Sequence, residues 1–155
     1  MASRLRPANG AKRNEARQPR STRERRRVLI VDDHAHTREL YAEFLQTWGF
    51  TVLTAANAVV AIDIARQQRP HVIVMDLSMP SLDGITAMTH LKRDPRTTRI
   101  PVIILTGYAA RAIQDGALEA GADGFLTKPC LPEDLAQEVQ RLVDSSDRPH
   151  PRYAS

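Results

Sequence analysis

The sequence predicts an α/β domain built on a doubly wound sheet of five parallel strands, with helices on both faces. Three observations predict it. Between residues 27 and 144, five short runs of strand-favouring composition alternate with segments patterned as helices. The first, third and fourth runs are almost continuously apolar, as strands are when helices cover both faces of a parallel sheet. Each run is also followed closely by its helix, which is the spacing of βα units.

Strand one is "RVLIVD" at 27–32. The helix after it, "HTRELYAEFLQTWG", sets Leu40, Phe44, Leu45 and Trp48 on one stripe and stops at Gly49. Strand two is "TVLTA" at 51–55, and the next helix starts at an Asn57 cap and ends before Pro70. Strand three is "HVIVMD" at 71–76. In "DGITAMTHLKRDP", Ile85, Met88 and Leu91 share a helical face. Strand four is "PVIILT" at 101–106, followed by the Ala-rich "ARAIQDGALEAGAD", which Gly116 weakens as a helix. Strand five is "GFLTK" at 124–128. The last helix carries Pro132 in its first turn, where proline is tolerated, and then Leu135, Val139 and Leu142. Five such units make a sheet of flavodoxin-like size.

Charge divides the chain. Residues 1–27 hold ten Lys/Arg against Glu15 and Glu24, a net +8, whereas 28–155 hold 12 basic and 16 acidic residues, a net −4. The overall +4 therefore describes a basic tail on a mildly acidic domain, and does not mark the domain as a nucleic-acid binder. Residues 1–26 have few large apolar residues and no periodicity, so they are expected to be disordered. The polar end at 145–155 is expected to be a second flexible tail. No secretory signal core or membrane-length apolar run is present, and the lone Cys130 has no intrachain partner, which together favour the cytoplasm.

In open α/β sheets, sites form at the carboxyl ends of the strands. Strand one ends in Asp32 and Asp33, strand three in Asp76, strand four in Thr106, and strand five in Lys128 before Pro129. Three carboxylates at one edge repel each other unless a cation sits among them. Oxygen donors at this density, with no His or Cys in the set, suit a hard ion such as Mg²⁺. A carboxylate held beside that ion and an ammonium can attack a phosphoryl group, with a hydroxyl holding one oxygen, and the product is an aspartyl phosphate. Asp76, alone at a central strand end, is the natural nucleophile, and Asp32 and Asp33 are the metal holders. The competing reading is that strand-end aspartates cap turns or helices. That explains one aspartate easily and the full set poorly.

These residues resemble the receiver (CheY-like) domain of two-component response regulators. The matching pieces are "VLIVDDH" at 28–34, "VIVMDLSMPSLDG" at 72–84, "VIILTG" at 102–107 and "GADGFLTKP" at 121–129. The resemblance covers 27–144 and implies the strand order 2-1-3-4-5. It implies that Asp76 accepts a phosphoryl group from the phosphohistidine of a histidine kinase or histidine phosphotransfer protein, with Mg²⁺ as cofactor. It makes Asp33 a direct Mg²⁺ ligand, Asp32 a ligand that often acts through water, and Ser78 the position whose backbone carbonyl completes the shell. Thr106 and Lys128 match the switch hydroxyl and the catalytic lysine, with a cis bond at Lys128–Pro129. Phe125 matches the aromatic switch position, with a buried or surface aromatic as the competing reading. Phosphorylation then changes the affinity of the face formed by the fourth helix, fifth strand and fifth helix for a downstream protein partner. Such a domain is a signalling phosphoacceptor with slow autodephosphorylation, not a conventional turnover enzyme.

Some positions depart from the common pattern. Tyr108, two residues after Thr106, is bulky and is expected to slow loss of the phosphoryl group, while Gly107 leaves that group room. Cys130 stands where the family often has Phe and is read as a small buried thiol, with redox sensing as the alternative. His34 and His36 are read as helix-start or surface residues. His71, His90 and His150 show no metal-ligand spacing. After Leu142 only 13 residues remain, too few for a helix-turn-helix output module. The expectation is a stand-alone receiver, with a fragment of a longer transcriptional regulator as the alternative; a homodimer is compatible with either. The basic tail could touch nucleic acid, an acidic partner or nothing. Two rival classes are a phosphate-independent interaction module and a Mg²⁺-dependent phosphohydrolase, the second of which lacks an acid at Ser78. A nucleotide-binding fold is disfavoured because "VDDHAH" carries no glycine loop.

Overall fold

A computed structural model of the chain describes residues 25–80, 82–108 and 110–147. The segments 1–24 and 148–155, which belong to the expected tails, lie outside the described residues. The element order is β1 (Arg27–Val31), α1 (Ala35–Thr47), β2 (Thr51–Ala55), α2 (Ala58–Gln68), β3 (Val72–Met75), α3 (Gly84–Arg93), β4 (Val102–Thr106), α4 (Arg111–Glu119), β5 (Gly124–Thr127) and α5 (Pro132–Asp147). All strand pairs are parallel and the order is β2-β1-β3-β4-β5. The expected fold class and strand order are both present.

Strand geometry explains the two layers of helices. Successive side chains of a strand point to opposite faces. Leu29, Val31, Ile73, Met75, Val102 and Ile104 pack with buried residues of α2, α3 and α4. Their neighbours Val28, Ile30, Val72, Val74, Ile103 and Leu105 pack with α1 and α5. Fully burying one such side chain is worth about 1.5–3 kcal/mol, so the uninterrupted apolar runs of β1, β3 and β4 serve both layers at once.

Two details differ from the expectations. In α1 the buried residues are Tyr41, Ala42 and Leu45, while Leu40 and Trp48 are exposed. The helix is rotated so that the Tyr41 hydroxyl donates to Cys130 O at 3.0 Å, which ties α1 to the segment before α5. Trp48 is the C-cap, past the last helical turn, and its ring tilts against Phe44 with centroids 6.4 Å apart. Gly49 follows with φ +93°, a conformation that favours glycine, and its N–H donates to Gln46 O. In α5 the helix continues through Ser145, Ser146 and Asp147, residues that the sequence pattern places in the C-terminal tail. Both serine hydroxyls donate back to carbonyls four residues earlier, and Arg26 Nη2 meets Asp147 Oδ2 at 2.6 Å.

Gly84 opens α3 against the residues after β3. A Cβ there would lie 2.5 Å from Asp76 O and 2.9 Å from Leu77 Cα, both backbone atoms. The missing side chain lets the helix start close to β3, with Asp83 capping through a bond accepted from Thr86 N–H. A Cβ on Gly116, inside α4, would meet nothing within 4 Å. Gly84→Ala is therefore expected to lower the unfolding free energy by about 1–3 kcal/mol, and Gly116→Ala to raise it by about 0.5–1 kcal/mol. Urea unfolding of the two variants beside the wild type checks both signs.

Candidate functional site

Parallel register brings the chemistry to one edge. β1 and β3 pair Val31 with Met75, so Asp32 and Asp76, the next residues, leave adjacent strands side by side. Asp32 N–H donates to Ala55 O at 3.2 Å and Asp76 N–H to Val31 O at 3.0 Å, which extends the sheet ladder by one bond at each position. Thr106 is the last residue of β4 and pairs with Thr127. Lys128 N–H donates to Thr106 O at 2.8 Å, and the Lys128–Pro129 peptide bond is cis, as expected.

The Asp32 and Asp76 side chains are 5% and 6% exposed, against 28% for Asp33. Lys128 Nζ donates to Asp32 Oδ2 at 2.7 Å and to Asp76 Oδ2 at 3.1 Å. The remaining oxygens of these two carboxylates face backbone donors: Ser78 N–H reaches Asp76 Oδ1 at 3.0 Å, and His34 N–H reaches Asp32 Oδ1 at 2.9 Å. Arg38 Nη1 donates to Asp32 O at 2.7 Å and so braces the backbone after β1.

Carboxylate oxygens of Asp32, Asp33 and Asp76 and a ring nitrogen of His34 lie within 4.8 Å of one another. Like charges at that separation repel by about 3–4 kcal/mol at an effective dielectric near 20. Burial pulls the Lys128 ammonium down, but hydrogen bonds and charge from Asp32 and Asp76 outweigh it and hold the group above the ordinary lysine range. One ammonium against three carboxylates leaves the site about two charges negative. A divalent cation matches that deficit, and oxygen donors suit Mg²⁺. Asp32, Asp33 and Asp76 are the residues that would hold it.

Thr106 is fully buried, and its Oγ1 accepts from Tyr108 N–H at 3.3 Å. Tyr108 is exposed and lines a cleft of about 410 Å³ with Leu77, Ser78, Met79, Asp83, Ile85 and Ile113. Phe125 lies on β5 opposite Ile104, half-buried against the core on the α2–α3–α4 side. A Cβ on Gly107 would meet nothing within 4 Å. Cys130 is half-buried, and burial together with Asp134 pushes its thiol up, which keeps it protonated and disfavours redox sensing. His34 is where the geometry adds most to the sequence. It is the N-cap of α1, as a helix-start residue should be, yet its ring also sits against two carboxylates. The signal for this was its position directly after Asp33 and before the first helical turn.

The family model of the response regulator receiver domain matches residues 28–140. The transcriptional regulator RpaA of Synechocystis is 37% identical over 122 residues, which cover 79% of this chain and 51% of that protein. This chain thus spans about half the length of that relative. Among solved structures, the chemotaxis protein CheY4 of Vibrio cholerae superposes with a TM-score of 0.73 at 30% identity, covering 77% of this chain and 99% of that one. The receiver domain of the sensor histidine kinase PA1611 from Pseudomonas aeruginosa has a magnesium ion coordinated in its active site cleft; it superposes with a TM-score of 0.72 at 28% identity, covering 78% of this chain and 99% of that one. Among the described residues, no helix is long and apolar enough to cross a membrane.

If the carboxylates bind Mg²⁺, the ion stabilises the folded state by mass action. At about ten times the dissociation constant the gain is roughly 1.4 kcal/mol, a rise of a few degrees in Tm. Asp33→Asn is expected to lose that rise; an equal rise in both proteins by differential scanning calorimetry would exclude Asp33 as a ligand.

Proposed function

The chain belongs to the response regulator receiver domain family, and from that we propose that it takes a phosphoryl group onto Asp76 from the phosphohistidine of a histidine kinase or histidine phosphotransfer protein. The observation that carries this reading is the bridge from Lys128 Nζ to both Asp32 and Asp76. It puts a fixed positive charge beside Asp76, at the end of the central strand β3, and beside Asp32 at the end of its neighbour β1.

An oxygen of the Asp76 carboxylate attacks the donor's phosphorus. The P–N bond breaks, the new P–O bond forms, and the leaving imidazole nitrogen takes up a proton. Ser78 N–H restrains the carboxylate's rotation, so little orientation is lost on reaction. Lys128 offsets negative charge on the phosphoryl oxygens, and the Mg²⁺ held by the carboxylates supplies further charge neutralisation when bound. The backbone carbonyl of Ser78 completes the metal shell in this proposal.

The product carries a larger charge and more acceptor oxygens than the aspartate did. Thr106 then exchanges its bond from Tyr108 N–H for one to a phosphoryl oxygen, and Phe125 turns into the space vacated. The α4–β5–α5 face changes its affinity for a downstream protein as a population shift of at most a few kcal/mol. Action in the cytoplasm belongs to the same reading. A homodimer, and a contact of the basic 1–26 segment with nucleic acid, are compatible with it.

Incubation with acetyl phosphate and Mg²⁺, followed by intact mass measurement, tests the acceptor. The expected result is a phosphate-sized gain in the wild type, absent without Mg²⁺ and absent in Asp76→Asn. A gain that survives in Asp76→Asn would move the chemistry elsewhere. Tyr108→Ala, which opens the cleft beside Ser78, is expected to lose its phosphoryl group faster than wild type; an unchanged decay would remove Tyr108 from the water's route.

A further inference from the structure

The phosphoacceptor reading gives no task to His34. Its side chain makes no capping bond to α1, although it occupies the N-cap. The ring turns back instead: Nδ1 lies 3.0 Å from Asp33 Oδ1 and 3.3 Å from Asp32 Oδ1. The Oδ2 atoms of Asp32 and Asp76 face Lys128. The carboxylate cluster is thus closed on one side by an ammonium and on the other by a ring nitrogen.

A ligand atom from each of Asp32, Asp33, His34 and Asp76 lies within 4.8 Å of the others. Ligands in a tetrahedral zinc shell, each about 2.0–2.2 Å from the ion, lie roughly 3.3–3.6 Å apart. His34 Nδ1 already lies 3.0 Å from Asp33 Oδ1 and 3.3 Å from Asp32 Oδ1, and side-chain turns of about 1 Å or more would bring all four donors onto one centre. The donors then number three oxygens and one imidazole nitrogen. Mg²⁺ gains little from such a nitrogen, because it prefers oxygen ligands and retains waters. Ions that accept imidazole readily, Zn²⁺ among them, gain a great deal.

We propose that His34 Nδ1 is a fourth protein ligand of this site, and that it makes the site a binding site for Zn²⁺ in competition with Mg²⁺. Four protein ligands complete a tetrahedral zinc shell. They close that shell and leave no open position for a phosphoryl oxygen, so zinc opposes phosphorylation. The inference rests on the reading of the carboxylates as a divalent-cation site, and the test separates the two.

The untagged chain, residues 1–155, is titrated with chelator-buffered Zn²⁺, and separately with Mg²⁺, by calorimetry. The expected result is that His34→Gln lowers the Zn²⁺ affinity by roughly tenfold or more and leaves the Mg²⁺ affinity where it was, while His36→Gln alters neither. Electron spin-echo spectra of bound Cu²⁺, an ion that accepts imidazole, should show nitrogen coupling in the wild type and in His36→Gln, and none in His34→Gln. Equal Zn²⁺ affinity in wild type and His34→Gln overturns the proposal, as does nitrogen coupling that survives the substitution. A wild type that binds neither Zn²⁺ nor Mg²⁺ at this site overturns the cation site and the proposal together. Failure of acetyl phosphate labelling beside an intact His34-dependent zinc site would overturn the phosphoacceptor reading alone.

Discussion

The arrangement depends on one electrostatic constraint. Parallel pairing of β1 with β3 places two nearly buried carboxylates at adjacent strand ends, with a third beside them. Repulsion of this size would destabilise the edge unless positive charge arrived from elsewhere in the fold. It arrives from β5, the far edge strand, whose following residue Lys128 reaches past β4 to both Asp32 and Asp76. A long flexible stem with a compact charge at its tip suits that task better than a guanidinium would. The order of the strands is therefore also an order of charges, with the acids central and the base brought in from the side.

The backbone around the site is organised by the same requirement. Asp32 and Asp76 each accept a bond from the N–H two residues on, so their short turns supply donors to the charged forms. Gly84 lets α3 begin against the Asp76 and Leu77 backbone, and Asp83 caps it there. Charge-bearing strand ends and close helix starts are thus produced by the same few residues. A substitution chosen for stability in this loop therefore bears directly on Asp76.

Much of this was legible in the sequence because it is recorded in local patterns. Continuous apolar runs identified β1, β3 and β4, and each run ends next to the residue that supplies the chemistry. Asp32, Asp33 and Asp76 do converge, Lys128 bridges two of them, and Thr106 closes β4 at the same edge. What periodicity could not give was rotation and reach. Leu40 and Trp48 fit the apolar stripe of α1, yet the Tyr41 bond to Cys130 O turns them outward. That contact joins residues far apart in the chain and leaves no local signal. The ring position of His34 depends in the same way on where two strand ends meet, and the pairing of Asp147, at the end of α5, with Arg26 joins residues just as far apart.

The ion pair between Arg26 and Asp147 also fixes where the two ends of the described chain lie. β1 starts, and α5 stops, on the side of the sheet opposite the carboxyl ends of the strands. Entry and exit are neighbours there, and the acidic edge is at the other pole of the molecule. Any tether attached through either end, whether another domain, a tail or a surface, holds the domain from behind. The carboxylate edge faces away from both points of attachment, so that edge and a tether can be engaged at the same time.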